Sequence, residues 1–285
     1  MVNAAECCQY LRRELEGIGV EQAELEAREL TAFAVGLDAG NHRRWNEISL
    51  SDAQKQQAEA LLCRRKNDEP LAYILGEWDF YGNRFVVTPD VLIPRGDTEW
   101  LCDAAVQAAK KIQVPRVLDL CSGSGCIGIS LALAVPNAQV TAVDASQAAL
   151  AVTAQNAALH ALTAPRFAAV HGDALASHSI AGIFDIVVSN PPYITAQEMR
   201  ELDRSVDAFE PHMALFGGED GLTFYRAMAQ HPPFTLRTGG EIFMECGWKQ
   251  GAQVVELFRA AGWADVRLMS DLAGIERIVA AKNVI

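Results

Sequence analysis

Arg116-Val117-Leu118-Asp119-Leu120-Cys121-Ser122-Gly123-Ser124-Gly125-Cys126-Ile127-Gly128 sets the architecture of this chain. Residues 116–120 read as a buried strand, and the chain then turns through small residues into a helix. Such a turn aims free backbone N–H groups at a ligand. Gly123, Gly125 and Gly128 formally satisfy G-x-G-x-x-G, which alone is a weak signal for a dinucleotide site.

Working outward, further short apolar runs lie at 139–143, 166–170, 184–189 and 241–245, with helical stretches in most of the intervals. Two more, at 265–269 and 277–281, are separated only by a short loop holding Gly274 and read as an antiparallel terminal pair. This pattern predicts an α/β fold with a doubly wound, mostly parallel sheet. The run from 194 to 221 has no clear strand and weak helical signal, so it is expected to border the active site.

Upstream the signals are helical. Apolar residues recur at Cys8, Leu11, Leu15 and Ile18, then at Leu25, Leu30, Phe33 and Leu37, and a third helix runs from an N-cap at Ser51 to Arg64-Arg65-Lys66. They predict a small all-α bundle. After Pro70, a β-hairpin is expected across a two-residue Gly82-Asn83 turn. The expected division is a helical domain at 1–75, a hairpin linker at 76–95 and the α/β domain at 96–285.

The chain has 285 residues, half of them hydrophobic (50%), and a formal net charge of -12. That charge opposes extended contact with a phosphate backbone and counts against a nucleic-acid substrate. The basic runs His42-Arg43-Arg44 and Arg64-Arg65-Lys66 read as solvated helix ends. Seven cysteines show neither metal-ligand spacing nor a disulfide framework, and Cys7-Cys8 falls on an expected surface helix. No long uncharged apolar run and no basic, apolar leader is seen, so no membrane is expected and the cytoplasm is the default compartment.

The turn at Cys121, Ser122, Gly123, Ser124 and Gly125 is the candidate cofactor cradle. Asp119 would repel a pyrophosphate but welcome a ligand ammonium, which favours S-adenosylmethionine over NAD. The second strand ends at Asp144, whose carboxylate can take both hydroxyls of a ribose, a contact that suits either cofactor. The third leads to Asp173 and Ala174, where the carboxylate can accept from an adenine amino group and the backbone can meet the ring edge; an N-cap is the other reading of Asp173. His171 reads as a packing residue.

Behind the strand at 184–189 stands Asn190-Pro191-Pro192-Tyr193. Asn190 Oδ1 and a neighbouring carbonyl can each accept one hydrogen of a planar NH2 group, and Tyr193 can cover one face. Asn190 and Tyr193 are therefore the candidate catalytic residues, with Pro191 and Pro192 beside them in substrate binding and Asn190 also bordering the cofactor.

Taken in chain order, Asp119 to Gly125, Asp144, Asp173 and Asn190 to Tyr193 resemble the class I S-adenosylmethionine-dependent methyltransferases that act on planar nitrogens. Glu69-Pro70-Leu71-Ala72-Tyr73-Ile74-Leu75-Gly76-Glu77, Phe80-Tyr81-Gly82, Leu92-Ile93-Pro94-Arg95-Gly96-Asp97-Thr98-Glu99, Phe209-Glu210-Pro211, Gly217 to Leu222 and Glu245-Cys246-Gly247 are similar to the release-factor glutamine N5-methyltransferase family. The resemblance implies a helical domain that helps dock a peptide chain release factor, and a catalytic domain that methylates the glutamine of its Gly-Gly-Gln loop. Asp97-Thr98-Glu99 favours that branch over the one acting on a ribosomal protein. The chain departs from the family pattern at Gly96 (usually Pro), at Cys121 to Gly125 (usually Gly-Thr-Gly-Thr-Gly) and at Ala174 (commonly larger). An adenine-N6 nucleic-acid methyltransferase, an NAD-binding oxidoreductase and an inactive binding module are the competing readings. Arg95, Thr98 and Glu99 are expected near cofactor or substrate, or as an Arg95–Glu99 ion pair.

Overall fold

Asn3 and Ser51 each open a helix with a reciprocal cap. Asn3 Oδ1 accepts from the Glu6 N–H at 2.9 Å while Glu6 Oε2 accepts from the Asn3 N–H at 3.0 Å, and Ser51 repeats the arrangement with Gln54. These caps start α1 (Ala4–Gly17) and α3 (Asp52–Lys66); α2 (Ala23–Val35) lies between them and α4 (Leu71–Leu75) follows. The computed structural model describes residues 3–37, 39–271 and 274–284.

The inward stripe of α1 is Ala4, Cys7, Leu11 and Leu15, and that of α2 includes Ala23, Ala27, Leu30 and Ala34. Cys8 is only half-buried, whereas Ile18, Leu25 and Phe33 are exposed, contrary to the sequence reading. The buried faces use alanine where helices approach closely, so the large apolar residues fall off the contact stripe. Cys7 is buried, not superficial, and all seven cysteines are unpaired. The basic run ending α3 is engaged by acids: Arg64 by Glu69, Arg65 by Glu26 and Lys66 by Glu14.

The described chain falls into two compact units. One holds the residues through Gly76 together with Arg204–Phe209, and the other holds Glu77–Asp203 and the chain from Glu210 onward. The hairpin of β1 (Glu77–Phe80) and β2 (Asn83–Val86) thus lies in the second unit. Its turn is Tyr81-Gly82, one residue earlier than the sequence reading, with φ of 49° and 72° as a type I′ turn requires. Tyr81 is held in that conformation by its N–H, which donates to Glu99 Oε1 at 2.7 Å, and by its hydroxyl on Asp103 at 2.9 Å.

The second unit is built on a seven-stranded sheet in the order β5-β4-β3-β6-β7-β9-β8. The strands are β3 (Arg116–Leu120), β4 (Gln139–Asp144), β5 (Phe167–His171), β6 (Ile183–Ser189), β7 (Thr235–Glu245), β8 (Ala264–Ser270) and β9 (Glu276–Lys282). All pairings from β5 to β7 are parallel, and β9 is antiparallel to both neighbours. β7 begins earlier than the sequence indicated, because Gly239 and Gly240 mark an irregularity inside the strand instead of its start.

Successive residues of β3 and β6 feed opposite faces. Val117, Ile186 and Val188 pack with Leu101 of α5 (Thr98–Ala109), Ile129 of α6 (Cys126–Ala134) and Ala157 of α7 (Gln147–Leu159). Leu118, Leu120 and Val187 pack on the other side with Tyr225 of α9 (Thr223–Gln230) and with Val254 and Phe258 of α10 (Gly251–Ala260). Burial on both faces explains why these strands read as continuous apolar runs. Between β6 and α9 the chain is irregular, with the short α8 (Arg204–Asp207) between two 3-10 turns.

Candidate active site

The chain runs from β3 to β4 to β5 in one direction across the sheet, then returns to place β6 on the other side of β3. The crevice at the carboxyl ends of β3 and β6 is therefore the topological switch point, where ligands bind in open α/β sheets. A cavity of about 300 Å³ lies there. Cys121, Ser122, Gly123 and Ser124 line it from the end of β3, Asp144 from β4, Asp173 and Ala174 from beyond β5, and Asn190 and Pro192 from beyond β6. Pro211, Met213 and Ala214, from the irregular segment, complete one side. Gly125, Pro191 and Tyr193 are not among the lining residues.

The turn is built for close backbone approach. Gly125, at φ 78°, caps α6, and a β-carbon there would come within 2.8 Å of Thr153 Cγ2. Gly123 N–H donates to Asp144 Oδ2 at 2.9 Å, and Ser146 N–H donates to Asp144 Oδ1 at 2.9 Å. Each oxygen keeps acceptor capacity for a ligand. Cys121 holds a φ of 61° in the left-handed region, where glycine carries no steric penalty. Burial pushes the Cys121 thiol up and that of Cys126 up to about 12, so both stay protonated.

Asp119 is fully buried and lies off the cavity wall. Its Oδ2 accepts from the Gly128 N–H at 2.8 Å, whereas Oδ1 meets no described donor, as is also true of Ser122 Oγ. Burial pushes the Asp119 carboxyl up to about 7, against the Gly128 hydrogen bond. Asp173 Oδ1 accepts from the Leu175 N–H at 2.8 Å, a local turn with no helix behind it. Among the described residues, the charged lining is acidic at Asp90, Asp144 and Asp173, and its one cation, Arg95, is paired with Glu210. These acceptors suit a ligand with positive charge and hydroxyls, and disfavour a pyrophosphate.

Asn190, just beyond the end of β6, contacts residues far away in sequence. Its Nδ2 donates to Thr98 Oγ1 at 3.2 Å, and Thr98 donates to Glu245 Oε2 at 2.6 Å. Glu245 closes β7 at 2% exposure; burial pushes its carboxyl up to about 7, opposed by the Thr98 hydrogen bond and the Arg277 charge. Arg277 is itself paired with Asp97 at 3.0 Å. Tyr193 is half-buried beside this group, burial pushes its hydroxyl pKa up, and its carbonyl accepts from Gln250 Nε2 at 2.9 Å.

The sequence reading assigned no role to Glu245 or Arg277. The signal was present, because an acid closes the apolar run Ile242-Phe243-Met244 at the carboxyl edge of the sheet. The Arg95–Glu99 ion pair does not form. Arg95 pairs with Glu210, which is buried and also meets the Ile93 N–H, whereas Glu99 faces Tyr81.

The helical unit matches the PrmC N-terminal domain over residues 6–76, and residues 103–206 match the methyltransferase small domain. A release factor glutamine methyltransferase of Cereibacter sphaeroides is 39% identical over 99% of this chain and 99% of its own length. One from Bordetella pertussis is 42% identical over 89% and 93%. A methyltransferase structure from Pyrococcus furiosus covers 81% of this chain and 98% of its own at TM-score 0.51 and 15% identity, a likeness of fold alone. Relatives of one description align with both units and nearly end to end, and the chain therefore belongs to the release factor glutamine methyltransferase family, among the class I methyltransferases.

Proposed function

We propose that this protein transfers the methyl group of S-adenosylmethionine to N5, the side-chain amide nitrogen, of the glutamine in the Gly-Gly-Gln loop of a peptide chain release factor, leaving S-adenosylhomocysteine. The observation that carries the reading is the side chain of Asn190, which lines the cavity at the switch point with its Nδ2 tied to Thr98. When bound, the donor supplies a methyl group activated by a positively charged sulfur.

The residues at the end of β3 supply the cradle: Cys121 through Ser124 line it, and Gly125 lets α6 begin directly behind. Asp144 takes the ribose hydroxyls with the lone pairs that Gly123 and Ser146 leave free. Asp173 Oδ2 accepts from the adenine amino group, and Ala174, at 5% exposure, gives an apolar wall. Ser122 lines the cavity and its buried Oγ has no described partner, which suits a ligand that brings polar hydrogens.

An amide nitrogen is a weak nucleophile because its lone pair is shared with the carbonyl. Asn190 Oδ1 and the Pro191 carbonyl accept the two hydrogens of the glutamine NH2 and fix its plane, while Pro191 and Pro192 stiffen the backbone. Tyr193 packs at the side of the substrate. As the N–CH3 bond forms and the sulfur–methyl bond breaks, the nitrogen sheds one proton, which passes to solvent, and the acceleration comes from orientation, which can supply roughly 7–11 kcal/mol.

The net charge of -12 supports a protein acceptor over a nucleic acid. Among the described residues no helix is long and apolar enough to cross a membrane, and we place the protein with its substrate in the cytoplasm. Incubation with methyl-labelled donor should label a release factor but not duplex DNA, RNA or ribosomal protein. Label on nucleic acid, or thermal stabilisation by NAD without transfer, would contradict the reading.

A further inference from the structure

The two ends of an asparagine amide have nearly the same shape and opposite hydrogen-bonding sense. Turned one way, Asn190 offers an acceptor to an incoming NH2; turned the other, it offers two more hydrogens. Its surroundings settle the choice. Thr98, at the start of α5 and 3% exposed, has one hydroxyl hydrogen and two lone pairs. With Glu245 ionised, the hydrogen is committed to its Oε2 at 2.6 Å, because a carboxylate only accepts. Thr98 Oγ1 can then only accept on its other side, and the group it meets there at 3.2 Å is Asn190 Nδ2. No described donor meets Asn190 Oδ1, and both Asn190 and Thr98 line the cavity.

We propose that Thr98 and Glu245 are positioning residues that set the direction of the Asn190 amide, so that its oxygen faces the acceptor NH2. This rests on the reading of Asn190 as the acceptor of the substrate amide's hydrogens. The chain of dependence runs from β9 through β7 and α5 to β6. Arg277 faces Glu245 and favours its anion, the anion takes the Thr98 hydrogen, and Thr98 takes one from Asn190. None of the first three need touch the reacting atoms.

The experiment compares the full chain with Thr98→Val, which keeps the shape and removes the hydroxyl, Thr98→Ser, which restores it, and Asn190→Ala. Steady-state methylation of release factor gives kcat and KM, and calorimetry gives donor affinity. Thr98→Val should lose about 10- to 100-fold in kcat, the scale of one or two hydrogen bonds, with donor affinity within about twofold of wild type. Thr98→Ser should recover most of the loss. If Thr98→Val does not fold, Thr98→Ala against Thr98→Ser gives the same comparison.

A Thr98→Val enzyme with kcat within about twofold of wild type, beside an inactive Asn190→Ala, would overturn the positioning role and leave the reading of Asn190 standing. Parallel losses of donor affinity and kcat without rescue by serine would mark a merely structural threonine and also overturn it. An active Asn190→Ala would overturn both.

Discussion

Glu245 Oε2 and Thr98 Oγ1 stand 2.6 Å apart where β7 meets α5, and both side chains are buried. Burial raises the Glu245 carboxyl to about 7, with Asp97 reinforcing that rise and Arg277 opposing it. Its other titratable neighbours include Tyr193, Tyr225, Cys126 and Cys246, whose pKa values are raised by burial so that they stay protonated near neutrality. The anion fixes the Thr98 hydroxyl as its donor, whereas the protonated acid can donate to Thr98 and release that constraint. Raising pH through about 7 converts acid to anion, so kcat should climb across that window and level off above it. A pH profile of kcat checks this, and Glu245→Gln should flatten the inflection.

Gly217 abuts the backbone behind the tetrapeptide. A β-carbon there would meet the Pro192 carbonyl oxygen at 2.7 Å and Tyr193 Cα at 2.7 Å. Neither neighbour is the free end of a flexible side chain, so Gly217→Ala must displace Pro192-Tyr193. A misplacement of about 1 Å costs on the order of 10²-fold in rate, and kcat should fall on that scale with donor affinity nearly unchanged. Kinetics and calorimetry on the one variant separate the two.

Asp144→Ala removes the carboxylate that holds Gly123 and Ser146 and faces the cavity. Hydrogen bonds to a charged group contribute about 1.5–3 kcal/mol each, so donor affinity should drop by about 10- to 100-fold or more. Asp144→Asn, which keeps one acceptor, should fall between it and wild type by calorimetry.

Asn156 of α7 joins the hairpin to the glycine turn. Its Oδ1 accepts from Val86 N–H at 2.7 Å, and its Nδ2 donates to the carbonyls of Val86 at 3.0 Å and Ser124 at 2.9 Å. Asn156→Ala leaves the buried Ser124 carbonyl and the part-buried Val86 N–H and carbonyl unpaired and should cost roughly 2–4 kcal/mol, read as a fall in denaturation midpoint at unchanged m-value.

Strand positions and sheet type were legible because burial on both faces writes continuous apolar runs, as in Ile186-Val187-Val188. The inward face of α1 was not, since Cys7 and Cys8 are chemically identical and only packing chooses between them. Tyr81 at a positive φ was likewise hidden, because the bonds that stabilise it come from Glu99 and Asp103 on another element. In the site, residues contiguous in sequence were readable as motifs. The group of Asn190, Thr98, Glu245 and Arg277 was not, because it forms only when β6, α5, β7 and β9 come together.

The most direct test of the account is tandem mass spectrometry of a release factor after incubation with the protein and S-adenosylmethionine, run beside Asn190→Ala. One added methyl group is expected, located on the side-chain nitrogen of the Gly-Gly-Gln glutamine, and none with the variant. A methyl group on any other residue, an unmodified glutamine after prolonged incubation with folded, donor-binding protein, or equal methylation by Asn190→Ala would contradict it.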